Sequence, residues 1–78
     1  MRMPRIHPIP WKSFEKFLFR AGCVFRRQEA SHRIYWKEGL SRPIIFQAKG
    51  SVPVFIILNN LRTLGIDRNE YLRLLGKL

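Results

Sequence analysis

From residue 11 onward, apolar positions recur at helical spacing. Trp11, Phe14, Leu18 and Ala21 fall at i, i+3, i+7 and i+10, with Phe17 beside them, which describes the buried stripe of one α-helix. Gly22 follows the stripe and suits the left-handed residue on which many helices end, and Cys23 is the apolar residue after it. The period then shortens. "CVFRRQE" and "SHRIYWKE" are rich in β-branched and aromatic residues and join near Glu29-Ala30; Gly39 marks the next turn, and "RPIIFQAK" gives a third run. Three short runs with tight joins predict an antiparallel meander. Strict alternation groups Cys23 with Phe25, Ile34 with Trp36 and Ile44 with Phe46, and these pairs are expected to form the covered face of a half-covered sheet. His32 would then lie on the covered side, unless a bulge near Ala30-Ser31 re-aims it.

The helical period returns after Ser51, which is expected to cap a second helix with Pro53 in its first turn. Val54, Ile57, Leu58, Leu61 and Leu64 form its stripe, and Gly65 ends it. Asp67 with Glu70 has the spacing of a capping box for a short last helix through Tyr71, Leu74, Leu75 and Leu78. Residues 1–10 read as an extended leader, because Pro4, Pro8 and Pro10 bias the residues before them away from helix. Residues 11–78 then make a single α+β domain of order α-β-β-β-α with an added C-terminal helix, its helices on one face of a three-stranded antiparallel sheet.

Charge narrows the partners. Fifteen Lys and Arg stand against five Asp and Glu, a net charge of +10 in 78 residues, with a pI near 11.2. Most of those cations are arginines, whose planar forks match phosphate, so nucleic acid leads, ahead of an acidic protein or an anionic membrane surface. Cys23 is the only cysteine, which excludes an internal disulfide and a cysteine metal cluster. No run approaches the ~18 apolar residues that span a bilayer, and the proline-bearing N-terminus lacks the apolar core of a signal peptide. A cytoplasmic protein is expected, with no membrane partner, metal or small-molecule cofactor.

The stretch "RRQEASHRIYW" concentrates the candidate chemistry. His32 stands among Arg26, Arg27, Arg33 and Lys37, on two adjoining strands. A histidine set among fixed positive charges can move protons beside a bound anion, as base or as acid. Imidazole serves either proton role, and such transfer contributes ~10²–10⁴ in rate. The cations would hold the phosphate, Ser31 could bond it or orient the ring, and Lys49 precedes a helix N-terminus suited to anions. Each has a plainer reading: a strand-end histidine bonding locally, an edge kept soluble by charge, an ordinary turn serine and a simple loop. Phe55 and Ile56 widen the apolar stripe of the second helix, as core or as a docking surface.

The run "AGCVFRRQEASHRIYW" resembles the HicA family of bacterial messenger-RNA interferase toxins. Gly22, Arg27, Gln28, Ser31 and His32 stand at the family's spacings, and "LNNLRTLGID" is similar to its second helix. The likeness covers about residues 10–72. It implies a double-stranded-RNA-binding-domain-like fold and a metal-independent endoribonuclease toxin in which His32 is the essential general acid/base. Arg27, as part of the matched motif, is then a better candidate for phosphate contact than Arg26, and a HicB-type antitoxin covers the active face. Two positions depart from the pattern: Ala30 replaces the glycine before Ser-His, and Phe46-Gln47-Ala48 replaces a frequent Pro-x-His. A non-catalytic RNA-binding module, or an inactive relative on the same fold, is the alternative.

Overall fold

The structure is a computed structural model that describes residues 5–76. Its elements run β1 (Ile9–Pro10), α1 (Trp11–Arg20), β2 (Val24–Glu29), β3 (His32–Trp36), β4 (Ile44–Gln47), β5 (Ser51–Val52), α2 (Val54–Leu64) and α3 (Arg68–Leu75). Strands β2, β3 and β4 form one antiparallel sheet in that order, and β1 pairs with β5 in a second, two-stranded one. The molecule is therefore the expected α+β domain with three helices and a three-stranded meander.

The helices form where the apolar period placed them. Phe14, Phe17 and Leu18 of α1 are fully buried, and Gly22 at φ 97° turns the chain into β2. A side chain would find that backbone region strained, so glycine is the residue that lets the helix stop there. Gly65 does the same for α2 at φ 70°. The Asp67 carboxylate accepts a hydrogen bond from the Glu70 backbone amide at 2.8 Å, capping α3 as its spacing implied. Leu78, the last residue of that helix's expected stripe, lies outside the described residues.

The core is aromatic. Phe46 stacks on Tyr35 with ring centroids 5.3 Å apart and takes the edge of Phe14 at 5.2 Å, while Phe17 meets Tyr71 edge-on at 4.8 Å. Such pairs add about 0.5–1.5 kcal/mol each beyond the area they bury. Ile57 and Leu61 of α2 complete the cluster with Ile44 and Val52.

Three local expectations change. Ser51 does not cap α2: it belongs to β5, and the helix begins after Pro53, without a side-chain cap. Proline at this boundary sacrifices no amide that the helix would have used. The leader is not separate at its end, because Ile9 pairs with Val52, the Trp11 amide donates to the Gly50 carbonyl at 3.0 Å, and Ile6 packs on the core. Residues 1–4 lie outside the described residues.

The third correction sets the site. Strand β3 turns Arg33 and Tyr35 toward α1, so Ile34, Trp36 and His32 take the other side of the sheet. Ile34, Tyr35 and Trp36 are consecutive apolar residues, so alternation alone could not choose between them. Tyr35 wins the inner side because its ring stacks on Phe46 and its hydroxyl donates to the Glu15 carboxylate.

Candidate functional site

The β2–β3 hairpin brings Glu29 opposite His32 across a two-residue loop, Ala30-Ser31. Ala30 has φ 54°, the left-handed region, which costs a residue with a Cβ roughly 1–2 kcal/mol. Neighbours hold the turn in place. Gln28 Nε2 donates to the Ala30 carbonyl at 2.9 Å, the Ala48 amide donates to the Ser31 carbonyl at 2.7 Å, and Gln47 Nε2 donates to Ser31 Oγ at 3.2 Å. The strained loop thus fixes the start of β3, and with it the direction in which His32 projects.

His32 is exposed and pairs across the sheet with Gln47. Its side chain lines a groove of about 360 Å³ together with Gln47, Lys49, Phe55 and Ile56. The groove runs between the end of the sheet and the start of α2, and Phe46, Val52 and Pro53 add apolar wall. Of the residues singled out in the sequence, the structure gathers His32, Lys49, Phe55 and Ile56 here, with Ser31 bonded to the lining Gln47. Phe55 is 64% exposed, whereas Ile56 packs partly against the core.

Arg26 and Arg27 sit farther along the same side of the sheet. A bulge between Phe25 and Arg27 shifts the register, and both arginines line a second trough, of about 270 Å³, with Ile34, Trp36 and Pro43. The Arg26 guanidinium lies over the Trp36 ring, 5.7 Å from its centroid. Arg27 pairs with Glu29, but both side chains are more than half exposed, and such a pair contributes only about 0–1 kcal/mol. Phosphate could displace it at small cost.

Two of the expected phosphate ligands are placed elsewhere. Arg33 lies on the covered side, where its Nη2 donates to Glu15 at 2.9 Å, its Nε to the Tyr35 hydroxyl at 2.8 Å and its Nη1 to Gln28 Oε1 at 2.8 Å. Its guanidinium also rests 4.0 Å from the Phe25 ring centroid. The Tyr35 bond, with the Glu15 charge behind it, holds the Arg33 proton more tightly than usual. Lys37 follows the far end of β3, roughly 16 Å from His32 by strand rise, and its stem packs against Gly22. Neither residue reaches the groove.

Three buried groups elsewhere are unsuited to proton transfer near neutrality. Burial pushes the Cys23 thiol up, against a weaker lowering by Lys37. Burial also raises the Tyr35 phenol, reinforced by its bond to Glu15, and pushes Tyr71 up to about 12. Within the groove His32 contributes an imidazole and Lys49 an ammonium to the same lining. Sequence reasoning missed Gln47, whose place opposite His32 depends on the β3–β4 register, and Trp36, which the reversed strand carries, half-buried, to the outer side. The Trp36 signal was present as an aromatic between cations in "RIYWK".

No helix among the described residues is long and apolar enough to cross a membrane. Comparison of the chain with protein-family models, curated proteins and solved structures gives no match.

Proposed function

We propose that this chain is a HicA-type messenger-RNA interferase, a cytoplasmic endoribonuclease toxin on a double-stranded-RNA-binding-domain-like fold. The observation that carries the reading is the position of His32: exposed, on the side of the sheet away from α1, in a groove with Lys49, while Glu29 across the hairpin is paired with Arg27. A phosphodiester entering that groove meets an imidazole and an ammonium at once. His32 takes the 2′-hydroxyl proton or returns one to the leaving 5′-oxygen, while Lys49 stabilises the charge growing on the phosphorus oxygens. The Ser31 hydroxyl and the Gln47 amide offer further hydrogen bonds to the phosphate. No step in this scheme requires a metal.

Phe55 and Ile56 line the same groove as His32. A HicB-type antitoxin that grips this wall of α2 would cover the histidine, and an acidic one would complement the charge of +10. The second reading, a non-catalytic RNA-binding module, draws on one observation: the groove holds a single imidazole, and Ala48 stands where the resembling family often has another.

Incubating the purified chain with a long RNA in the presence of chelator, beside His32→Ala, separates the two. The interferase reading expects cleavage by the parent and none by the variant, with RNA binding kept. Binding without cleavage by either protein establishes the binding module instead.

A further inference from the structure

Three troughs that share lining residues lie around the side of the sheet that carries His32. The trough of Arg26, Arg27 and Trp36 shares Pro43 with a larger one of about 560 Å³, lined also by Arg42 and Arg62. That one shares Ile45 with the His32 groove. No aspartate or glutamate lines any of the three. Taken in succession the three outline a path with cations along it and apolar side chains, Ile34, Pro43 and Ile45, in its lining. Trp36 stands near one end and His32 at the other, roughly 13 Å apart by strand rise.

We propose that this path binds single-stranded RNA, with one base stacked at Trp36 and the following phosphates on the arginines, so that the strand arrives at His32. The proposal rests on the reading of His32 as the RNA-cleaving group and adds the form of RNA and its base-binding subsite. A polyanion of any kind would satisfy the arginines. The aromatic ring and the apolar wall distinguish the ligand, because they suit the faces of unpaired bases. An A-form duplex keeps its bases stacked inside and offers mainly phosphates and 2′-hydroxyls. Aromatic platforms set in cationic grooves are the usual means of holding single strands. Arg26 over Trp36 extends the platform, since a guanidinium plane stacks on a base as well.

The test measures binding in the His32→Ala background, where RNA stays intact. Its probes are a labelled single strand of roughly 12 nucleotides and a hairpin duplex of the same composition. The single strand is expected to bind more tightly than the duplex. Trp36→Ala should weaken single-strand binding about ten-fold or more, with most of the loss recovered by Trp36→Phe. Arg62→Ala, at an exposed position, should lower the salt slope by about one. Equal or tighter duplex binding, or indifference to Trp36→Ala in a folded protein, would overturn the proposal. Loss on charge removal with no dependence on Trp36 would identify a general polyanion surface, which also overturns it. Cleavage is scored separately on proteins with His32 intact. Cleavage without Trp36 dependence defeats the path alone, whereas Trp36-dependent single-strand binding without cleavage supports the path and defeats the catalytic reading alone.

Discussion

The two sides of strand β3 treat charge in opposite ways. On the inner side Arg33 is bonded to Glu15, Tyr35 and Gln28 and rests on an aromatic ring, so every part of its guanidinium is engaged. On the outer side His32 is exposed, Arg26 lies over the face of Trp36, and Arg27 holds Glu29 through a solvent-exposed pair. Adjacent residues of one strand thus do different work. A charge surrounded by partners contributes to the fold and has little left to offer a ligand. A cation or imidazole left toward solvent costs the fold little and remains available. The comparison moves Arg33 from the binding surface to the scaffold.

The largest expected effect tests that reassignment. Arg33→Ala leaves Glu15 and the Tyr35 hydroxyl without their cation, and should cost about 2–3 kcal/mol in denaturant unfolding, less than for a fully buried pair because both charged side chains keep some exposure. If the loss were below ~0.5 kcal/mol, the range of ordinary surface changes, the inner network would not be structural.

A smaller effect lies at the hairpin between the two sides. Ala30→Gly relieves the positive-φ strain and returns part of the gain as unfolded-chain entropy, leaving a stabilisation of about 0.5–1 kcal/mol by thermal unfolding. Destabilisation would mean that the turn does not adopt this conformation.

The smallest effect at neutral pH concerns Tyr71, whose buried hydroxyl has no hydrogen-bond partner among the described residues. Tyr71→Phe should be neutral or stabilising by up to about 1 kcal/mol at pH 7. Burial raises this phenol from its usual 10.0 to about 12, so the protonated form is the one that folding favours. Its contribution is complete below pH 10 and is lost as pH rises through 12, so the phenylalanine variant should lose less stability over that window. Identical alkaline profiles would remove Tyr71 from the account.

Much of the fold was legible in the sequence, because its signals were redundant. Phe14, Phe17 and Leu18 share one helix face, Gly22 and Gly65 stand where the chain reverses, and Asp67 precedes Glu70 at capping distance. The site was legible only in part. His32, Lys49, Arg26 and Arg27 were chosen by residue type, and the structure puts them all on one side of the sheet. Which side that was could not be read from Ile34-Tyr35-Trp36, since three apolar residues in a row fit either alternation. One clue lay elsewhere: Glu15 is the only acid in α1 and sits next to buried Phe14, where a cation from the sheet, Arg33, meets it. The β1–β5 pairing was not legible, because strands of two residues carry no period.

The comparison comes to its sharpest test in one experiment: cleavage of a long RNA by His32→Ala and Arg33→Ala, each normalised to folded protein, with chelator present. His32→Ala should keep the parent's stability and cleave nothing, while Arg33→Ala should be less stable yet cleave at close to the parent's rate per folded molecule. Cleavage that survives the loss of His32 but disappears with Arg33 would contradict both expectations.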